Sequence, residues 1–338
     1  MKLIVGSYSQ KNSTGIYLLN WDEHKFHLQA SLTGIENPSY LYVSADNEAI
    51  YALSETSTKQ STLYHIKKQI DKLTILDKIV YPGTGSCHLE KYEEMIFISN
   101  YQSGSMTFGQ VLANGDTKSS FQEINFKGSG PNKERQNQSY IHAVGYDPTR
   151  ELIFTVDLGA DKCYIFDKEH LAIQRPLYTF ILPPGSGPRQ LVFNANYTKL
   201  YLLSELSAEI FTIDLNNLDQ NWIQHTPIIP SQEVISAKKL GGAIILHPQG
   251  KFLYATARGD YNKIYTFNIN EERLEYVNSI SSQGESPRYL AISQDGKWLL
   301  VANQINGGVA AFAINVVNGH LTYKNSYEIN KSSFVNFI

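Results

Sequence analysis

Residues 187–205 of the chain read GPRQLVFNANYTKLYLLSE. A short apolar strand follows the Gly-Pro-Arg start, a polar turn comes next, and a second apolar strand ends on Ser-Glu. Two short apolar runs separated by turn-forming residues are typical of a β-hairpin. Residues 286–303, which read SPRYLAISQDGKWLLVAN, repeat this order with Asp-Gly in the turn. The chain therefore contains at least two copies of one hairpin unit.

Further copies of the hairpin occupy most of the chain. They cover residues 37–55, 86–101, 140–158 and 241–259, and Leu3 to Val5 supplies the second half of a seventh copy. The small residue that ends each second strand marks the period, at Ser7, Ser54, Asn100, Asp157, Ser204, Ala257 and Asn303. Neighbouring markers lie 46 to 57 residues apart. This period indicates a four-stranded propeller blade.

The repeat predicts an all-β fold, a seven-bladed β-propeller of four-stranded antiparallel blades that forms a single domain over residues 1–338. The first blade is incomplete at the N-terminus. We expect strands from the end of the chain, around Leu321 to Ile329, to join the N-terminal strand and close the ring without an exposed edge. The two longer spacings leave room for loops at about residues 128–139 and 216–239.

The composition agrees with this fold class and narrows the set of partners. The 22 Tyr and 15 Phe favour strands, and only 18% of the residues are charged. The net charge of −3 is spread along the chain, so we expect neither nucleic acid nor a membrane as a partner. The apolar run after Lys2 is too short for a signal peptide or a membrane span. Since Cys87 and Cys163 lie far apart, we expect a cytoplasmic protein with reduced thiols. The oligomeric state stays open.

Strand direction sorts the polar residues between the two rims of the ring. The first and last residues of a hairpin lie at the same edge, so one rim collects them from every blade around one mouth of the central channel. The residues that start hairpins there are His88, His142, Arg189 and Arg288. The residues that end hairpins there are Asn100, Tyr101, Asp157, Glu205, Arg258 and Asn303. His247 lies in a turn on the opposite rim, where we expect a surface histidine.

Some of these polar residues have a simpler structural interpretation. We expect Ser54, Asn100 and Asn303 to cap turns, and Asp157 to bind loop amides between blades. No pair of histidines has the spacing of metal ligands, and the chain lacks a Gly-x-Ser-x-Gly elbow and a phosphate-binding Gly-Lys-Ser/Thr loop. We therefore expect neither a metal nor a cofactor.

Several stretches match a known family in their order along the chain. They are residues 128–132, 135–136, 142 with 147–148, 157–162, 185–189, 252–255 with 258–259, and 298–304. On these motifs the chain resembles the seven-bladed propeller lactonases, the group that includes the propeller-type 6-phosphogluconolactonase and the fungal carboxymuconate cyclases. The resemblance implies a catalytic site of His142, Arg189, Glu205 and Arg258.

The chain departs from the family pattern at four positions. Tyr140 and Gln190 stand where the family usually has histidine, Ala243 stands in place of an acidic residue, and Ala257 in place of an asparagine. These departures bear on the substrate more than on the fold.

Lactone hydrolysis needs a base for the attacking water and a stabiliser for the oxyanion that forms at the carbonyl. His142 or Glu205 could accept the proton of the water. Arg189 or Arg258 could stabilise the oxyanion, and the other arginine could bind a substrate carboxylate or phosphate. The predicted function is hydrolysis of a small anionic sugar lactone such as 6-phosphogluconolactone. Additional substrate-binding residues are predicted at His88, Arg135, Gln136 and Arg288.

Two alternative functions stay open. Lactone closure by proton transfer to an unsaturated diacid, as in the carboxymuconate-type cycloisomerases, would use the same residue types. A non-catalytic propeller that binds ligands or proteins on one rim belongs to a different class, because the fold serves many functions.

Overall fold

The computed structural model describes residues 1–44, 47, 49–57, 60–112, 120–219, 222–236, 238–270 and 273–338. These residues form seven antiparallel sheets of four strands each. Each sheet is one blade, and all blades except the first are built from four strands consecutive in the chain. The predicted seven-bladed β-propeller is confirmed.

The strands run blade by blade along the chain. Blade 1 begins with β1 (Lys2–Ser7), β2 (Ile16–Trp21) and β3 (Phe26–Leu32). Blade 2 contains β4 (Leu41–Val43), β5 (Ala49–Ser54), β6 (Gln60–Lys68) and β7 (Leu73–Pro82). Blade 3 contains β8 (Ser86–Tyr92), β9 (Met95–Asn100), β10 (Ser105–Gln110) and β11 (Gln122–Asn125). Blade 4 contains β12 (Ile141–Asp147), β13 (Leu152–Asp157), β14 (Lys162–Phe166), a short helix α1 (Lys168–Ala172) and β15 (Tyr178–Ile181).

The remaining blades follow the same order. Blade 5 contains β16 (Pro188–Phe193), β17 (Lys199–Ser204), β18 (Glu209–Asp214) and β19 (Gln224–Pro227). Blade 6 contains β20 (Lys239–Leu246), β21 (Phe252–Gly259), β22 (Lys263–Asn270) and β23 (Arg273–Ser281). Blade 7 contains β24 (Glu285–Ile292), β25 (Trp298–Asn306), β26 (Val309–Ile314) and β27 (Leu321–Tyr327), and the chain then forms β28 (Ser332–Phe337).

The ring closes in blade 1, where β28 pairs antiparallel with β1 and places Val335 opposite Val5. The joining of N- and C-terminal strands is confirmed, but the predicted segment, Leu321 to Ile329, is wrong. Most of that segment is β27, the outer strand of blade 7. The position beside β1 is covered on both faces, which suits β28 with its buried Phe334 and Val335 better than the largely exposed β27.

The second strand of each blade lies between neighbouring strands and neighbouring blades. Strands β13, β17 and β25 accordingly have nearly continuous apolar sequences and are buried along most of their length. Apolar side chains of adjacent blades form shared clusters. Between blades 4 and 5, for example, Phe154 packs with Leu202 and Phe211. This packing fixes the blades against one another and holds the inner strands around the channel.

The two long connections agree with the prediction only in part. Residues 128–139 form a loop without strands, as predicted. The segment 216–239 was predicted to be a loop, but it contains β19 and a 3₁₀ turn at Ser231–Glu233. Strand β19 is the outer strand that blade 5 needs to reach four strands.

Candidate active site

Four of the inner strands carry a β-bulge at the same register position. The bulged residues are Cys87 in β8, His142 in β12, Arg189 in β16 and Arg288 in β24. A bulge leaves one residue without a partner in the ladder and redirects its side chain. All four bulged residues line one cavity in the central channel. The repeated bulge therefore brings side chains from four different blades to one place.

Glu205, which directly follows β17, is the centre of a buried ionic cluster at the channel mouth. Its Oε2 accepts hydrogen bonds from Arg189 Nη1 and Arg258 Nη2, both at 2.7 Å. Its Oε1 accepts one from Arg135 Nη2 at 2.5 Å. Arg189 Nη1 also donates to Nε2 of His142. The four residues implied by the family resemblance thus converge, together with Arg135.

Backbone carbonyl groups of blade 6 fix the two buried arginines. Arg189 Nε donates to the carbonyl oxygen of Gly242 at 2.6 Å, and Arg258 Nη2 donates to that of Gly241 at 2.9 Å. A Cβ atom on Gly242 would lie 2.2 Å from the carbonyl oxygen of Pro287. Only glycine therefore fits where blade 6 approaches both the arginine and blade 7.

The hydrogen bonds define the charge states of the cluster. A guanidinium group can only donate, so Nε2 of His142 must accept and the ring is neutral. Burial and the adjacent Arg189 hold the pKa of His142 well below its usual range. Burial alone would raise the pKa of Glu205, but Arg258, Arg189 and Arg135 hold it well below normal. Burial, reinforced by Arg258, lowers the pKa of Arg189 to about 9.

A second carboxylate group occupies the opposite side of the mouth. Glu55 follows β5, and its Oε2 accepts hydrogen bonds from Tyr8 Oη at 2.8 Å and from Ser39 Oγ. Arg288 Nη2 donates to Tyr8 Oη at 2.8 Å. The mouth therefore has two carboxylate groups, each connected to arginine. Arg288 is brought to this second group and not to Glu205.

Below the bulged residues the cavity is closed by neutral polar side chains. Its volume of about 30 Å³ is enough for about two water molecules. Tyr40 Oη lies 3.0 Å from His88 Nε2, and the backbone N–H of Val144 donates to His88 Nδ1 at 3.4 Å. Burial lowers the pKa of His88 to about 3, so this ring is neutral as well. His88 lines the cavity one position after Cys87, which is the bulged residue of blade 3.

The loop before blade 4 contains Arg135 and Gln136, which are neighbours in the chain but have different surroundings in the structure. Arg135 reaches the mouth, where it contacts both Glu205 and Tyr101. The predicted role of Gln136 in substrate binding needs correction. Its side chain is fully buried and donates to the carbonyl oxygen of Leu158 at 2.9 Å and to Asp161 at 2.7 Å. Gln136 therefore holds the loop that presents Arg135.

The four departures from the family pattern fall into two kinds. Ala243 and Ala257 are fully buried beside the site and carry no polar side chain. Gln190 Oε1 accepts the backbone N–H of Ile244 at 3.0 Å, so it joins blades 5 and 6. Tyr140 stacks on Tyr101, with ring centroids 4.6 Å apart. Tyr101 in turn presents its ring edge-on to the catalytic candidate His142.

Other sequence expectations have clear outcomes. Asp157 Oδ1 accepts the backbone N–H groups of Tyr140, Gly159 and Ala160, so its predicted structural role is confirmed. His247 lies in a turn, as predicted, but it is buried and not at the surface. Its Nε2 contacts the carbonyl oxygen of Gly296 in the neighbouring blade at 2.9 Å. The inward tilt of that turn could not be read from its sequence.

Several residues of the site were not predicted from the sequence. Tyr8 and Glu55 directly follow the second strands of blades 1 and 2, and the repeat itself could have indicated them, since Glu205 and Arg258 hold related positions. Tyr40 directly precedes β4, Tyr289 lies within β24, and both line the cavity. No motif pointed to them, because tyrosine is common throughout this chain.

Two kinds of feature are absent from the described residues. No three side chains of His, Cys, Asp or Glu are grouped there as a metal ion would require. The helices in that part of the chain include none that is long and apolar enough to span a bilayer.

Comparison with known proteins places this fold and site in a family. The sequence model for "Lactonase, 7-bladed beta-propeller" matches residues 2–337. The 6-phosphogluconolactonase of Bacillus subtilis (strain 168) is 27% identical over 328 residues, which cover 94% of this chain and 92% of that relative. A crystal structure from Bacteroides fragilis NCTC 9343, provisionally named a 6-phosphogluconolactonase, superposes with a TM-score of 0.88 at 28% identity, covering 100% of this chain and 97% of that one.

A third comparison supports the fold alone. The periplasmic gluconolactonase PpgL of Pseudomonas aeruginosa has a TM-score of 0.87 at 24% identity, with 99% and 98% of the two chains covered. The propeller and its charged mouth define a lactonase-type protein, and this class is the one that the motifs predicted. Because the family match spans nearly the whole sequence, the chain belongs to the lactonase family of seven-bladed β-propellers.

Proposed function

We propose that the chain hydrolyses the lactone ring of an anionic sugar, with 6-phosphogluconolactone as the first substrate to test. The observation that carries this proposal is the convergence of His142, Arg189 and Arg258 around the buried Glu205 at one channel mouth. The name of the Bacillus subtilis relative supports the same substrate.

The charge balance of the mouth favours an anionic substrate. The mouth contains two glutamates, Glu55 and Glu205, and four arginines, Arg135, Arg189, Arg258 and Arg288. Since His142 is neutral, two positive charges remain unbalanced. Positive charge in a partly enclosed channel attracts and orients small anions. A phosphate or carboxylate on the lactone would supply the missing negative charge.

His142 is the group we assign to accept the proton of the attacking water. Glu205 is bound by three guanidinium groups, which hold its pKa well below normal, and it serves to fix them in place. His142 is neutral and carries its lone pair on Nε2. When Nε2 takes up a proton, the N–H of Arg189 that it had accepted is released. That N–H can then stabilise the oxyanion of the substrate.

The proposed reaction proceeds through a tetrahedral intermediate. Water adds to the ring carbonyl carbon while His142 takes one of its protons, and the carbonyl oxygen becomes an oxyanion beside Arg189 and Arg258. The intermediate collapses by cleavage of the ring C–O bond, and the leaving alkoxide takes the proton from His142. The product is an open hydroxy acid, and His142 is neutral again.

The cavity below the cluster supports hydrolysis over ring closure. It adjoins both His142 and Arg189, and its volume of about 30 Å³ matches about two water molecules. A water molecule held there would lie next to the proposed base. Ring closure of a diacid does not require a water molecule bound next to the base.

A direct assay tests the proposal. The purified full chain should accelerate the decay of 6-phosphogluconolactone over buffer, equally with and without a chelator. Arg189→Met should reduce the rate by about 10²–10³ through loss of an oxyanion donor. Arg175→Met, which changes an exposed arginine, is the matched control and should retain the wild-type rate. Decay no faster than in buffer would rule the proposal out.

The two alternative functions give different results in the same experiments. A cycloisomerase would consume an unsaturated diacid such as a carboxymuconate and leave the sugar lactone intact. A binding scaffold would act on neither compound, and ligand or partner binding on a distant rim would be indifferent to Arg189→Met.

We also propose that the protein works in the cytoplasm. Cys87 and Cys163 are both buried and unpaired, as suits a reducing compartment. Cell fractionation with a tagged full-length chain tests this location, and recovery in a periplasmic or secreted fraction would contradict it.

A further inference from the structure

We infer that Tyr8 and Glu55 position Arg288 so that it binds the anionic group of the substrate. This inference rests on the proposed function for the identity of the substrate. It adds two residues that no motif indicated, and it separates the role of Arg288 from the roles of Arg189 and Arg258.

The charged residues of the mouth form two halves, and each half comes from a different set of blades. Glu205 receives its arginines from blades 5 and 6 and from the loop before blade 4. The second half is built by Tyr8 from blade 1, Glu55 from blade 2 and Arg288 from blade 7. Glu55 and Glu205 follow equivalent strands three blades apart in a ring of seven, so they lie on nearly opposite sides. A ligand in the mouth would contact both halves.

Tyr8 connects the charges of the second half. Its hydroxyl donates to Glu55 Oε2 at 2.8 Å, so the lone pairs of its oxygen are free for Arg288, which donates to it at 2.8 Å. The guanidinium carbon of Arg288 also lies 5.4 Å from the centre of the Tyr8 ring. Ser39 Oγ donates to the same carboxylate oxygen of Glu55. The direction of the Tyr8 hydroxyl, and through it the position of Arg288, is therefore fixed by Glu55.

The arginines of the two halves have different hydrogen-bond acceptors. Arg189 and Arg258 donate directly to a carboxylate, whereas Arg288 donates to a neutral oxygen. Burial raises the pKa of Tyr8, which keeps the phenol uncharged. Within the described residues Arg288 makes one hydrogen bond, although a guanidinium has five N–H donors.

Among the described residues Arg288 is therefore held in place without a direct contact to a carboxylate. Its remaining N–H groups can form the paired hydrogen bonds that a phosphate or carboxylate group accepts. Arg288 lines the same cavity as His142 and Arg189. An anion bound to Arg288 would hold the attached lactone ring against the Glu205 half, where the proposed reaction takes place.

The first experiment measures binding without catalysis. Inorganic phosphate is titrated into the full chain by calorimetry, and melting temperatures confirm that each variant is folded. Arg288→Met and Tyr8→Phe should each weaken phosphate binding about tenfold or more. Arg288→Lys should recover part of the affinity, and Arg175→Met should bind as the wild type does. Unchanged affinity in Arg288→Met and Tyr8→Phe would overturn the inference.

Glu55→Ala separates positioning from simple charge. The substitution removes a negative charge from the mouth, so electrostatic attraction alone predicts tighter binding of phosphate. The positioning role predicts weaker binding, because Tyr8 loses the acceptor that orients its hydroxyl. Tighter binding in this variant would show that Glu55 acts only through its charge and would contradict its assignment.

The second experiment uses the reaction itself. With 6-phosphogluconolactone, Tyr8→Phe should raise KM about tenfold and change kcat by less than about twofold. With uncharged gluconolactone the same variant should differ little from the wild type. A fall in kcat without a change in KM would place Tyr8 on the reacting side and overturn the inference. If the wild type hydrolyses no lactone but phosphate binding still depends on Arg288 and Tyr8, the proposed function fails and the anion site stands.

Discussion

Arg189 and Arg288 occupy the same bulge position in blades 5 and 7, yet their surroundings differ. Arg189 is buried against Glu205, His142 and a backbone carbonyl, so most of its donors are already used inside the protein. Arg288 is partly exposed and bound to a neutral phenol. At the scale of single residues, the two arginines therefore differ in their hydrogen-bond partners and not in their residue type. Arg189 is held in place for the reaction, whereas Arg288 has donors left for a ligand.

Glu205 should be essential for both stability and activity. Glu205→Gln leaves three guanidinium groups without their carboxylate, two of them buried. We expect the free energy of unfolding to fall by about 3–5 kcal/mol and the lactonase rate to fall by about 10²-fold or more. Denaturant titration and steady-state kinetics measure the two effects. Glu209→Gln breaks a more exposed pair with His225 and should cost about 1 kcal/mol or less. Equal effects of the two substitutions would contradict this account.

The pH dependence of kcat/KM should reflect the neutral His142. A base works in its unprotonated form, so activity is lost as the pH falls through the pKa of the folded protein. Burial and Arg189 hold that pKa well below 6.5, the usual value for histidine. The profile, corrected for spontaneous decay, should therefore be flat between about pH 6 and pH 8 and decline only in more acidic buffer. A half-maximal rate near pH 6.5 would be inconsistent with His142 as a buried neutral base.

The strand that closes the ring also supports the site. Strand β28 supplies Ser333 to the cavity, and its Phe334 contacts the rings of Tyr40 and Tyr289 beside it. The outer strands have no such role, since they lie far from the channel. Elements of one blade thus differ in function according to their distance from the axis.

Removing an aromatic ring should therefore cost more in β28 than in an outer strand. Phe334→Ala should lower the free energy of unfolding by about 3–5 kcal/mol, because the ring is buried between blades 1 and 2. Tyr323→Ala in β27 changes a residue that is 37% exposed and should cost less, about 1–2 kcal/mol. Chemical denaturation of both variants provides the comparison. Similar losses would show that β28 contributes no more than an outer strand.

At the scale of the whole molecule, the ring encloses a central channel in which ionisable side chains such as His142 and Arg189 are buried. Glu90 lies on β8 two residues after His88, so the alternation of a strand directs both side chains to the channel. Burial raises the pKa of Glu90 from 4.5 to about 7. A carboxylate in this position makes the fold less stable when it ionises.

Glu90→Gln should consequently stabilise the protein at high pH. The pKa in the folded state lies above that of the unfolded chain, so wild-type stability falls as the pH rises from about 4.5 through about 7. At pH 8 the variant should be more stable by about 1–3 kcal/mol, and below about pH 4.5 the difference should vanish. Denaturant curves at several pH values measure it. A pH-independent difference would mean that Glu90 is not ionised in the channel.

The sequence was sufficient for the fold because the hairpin repeat is a local pattern, and hairpin geometry alone brought His142, Arg189, Glu205 and Arg258 to one rim. The second half of the mouth could not be predicted in the same way. Tyr8 and Arg288 are 280 residues apart in the chain and meet only because the ring closes. The bulge in blade 3 also escaped prediction, since it falls on Cys87 and leaves His88 paired with Ser99 without a sequence signal.

The bulges have a consequence for how such a site can change in evolution. The bulged positions around the ring hold Cys87, His142, Arg189, Arg288 and Ser333, and in blade 6 Gly242 with Ala243. A bulged residue takes no part in the pairing of its strand, so its side chain can be exchanged while the ladder stays intact. Gly242 is excluded from such exchange by its close contact with Pro287, but the other bulged positions can vary separately. A new specificity can arise by replacing one of these side chains, such as Cys87, while the pairing of its strand is kept.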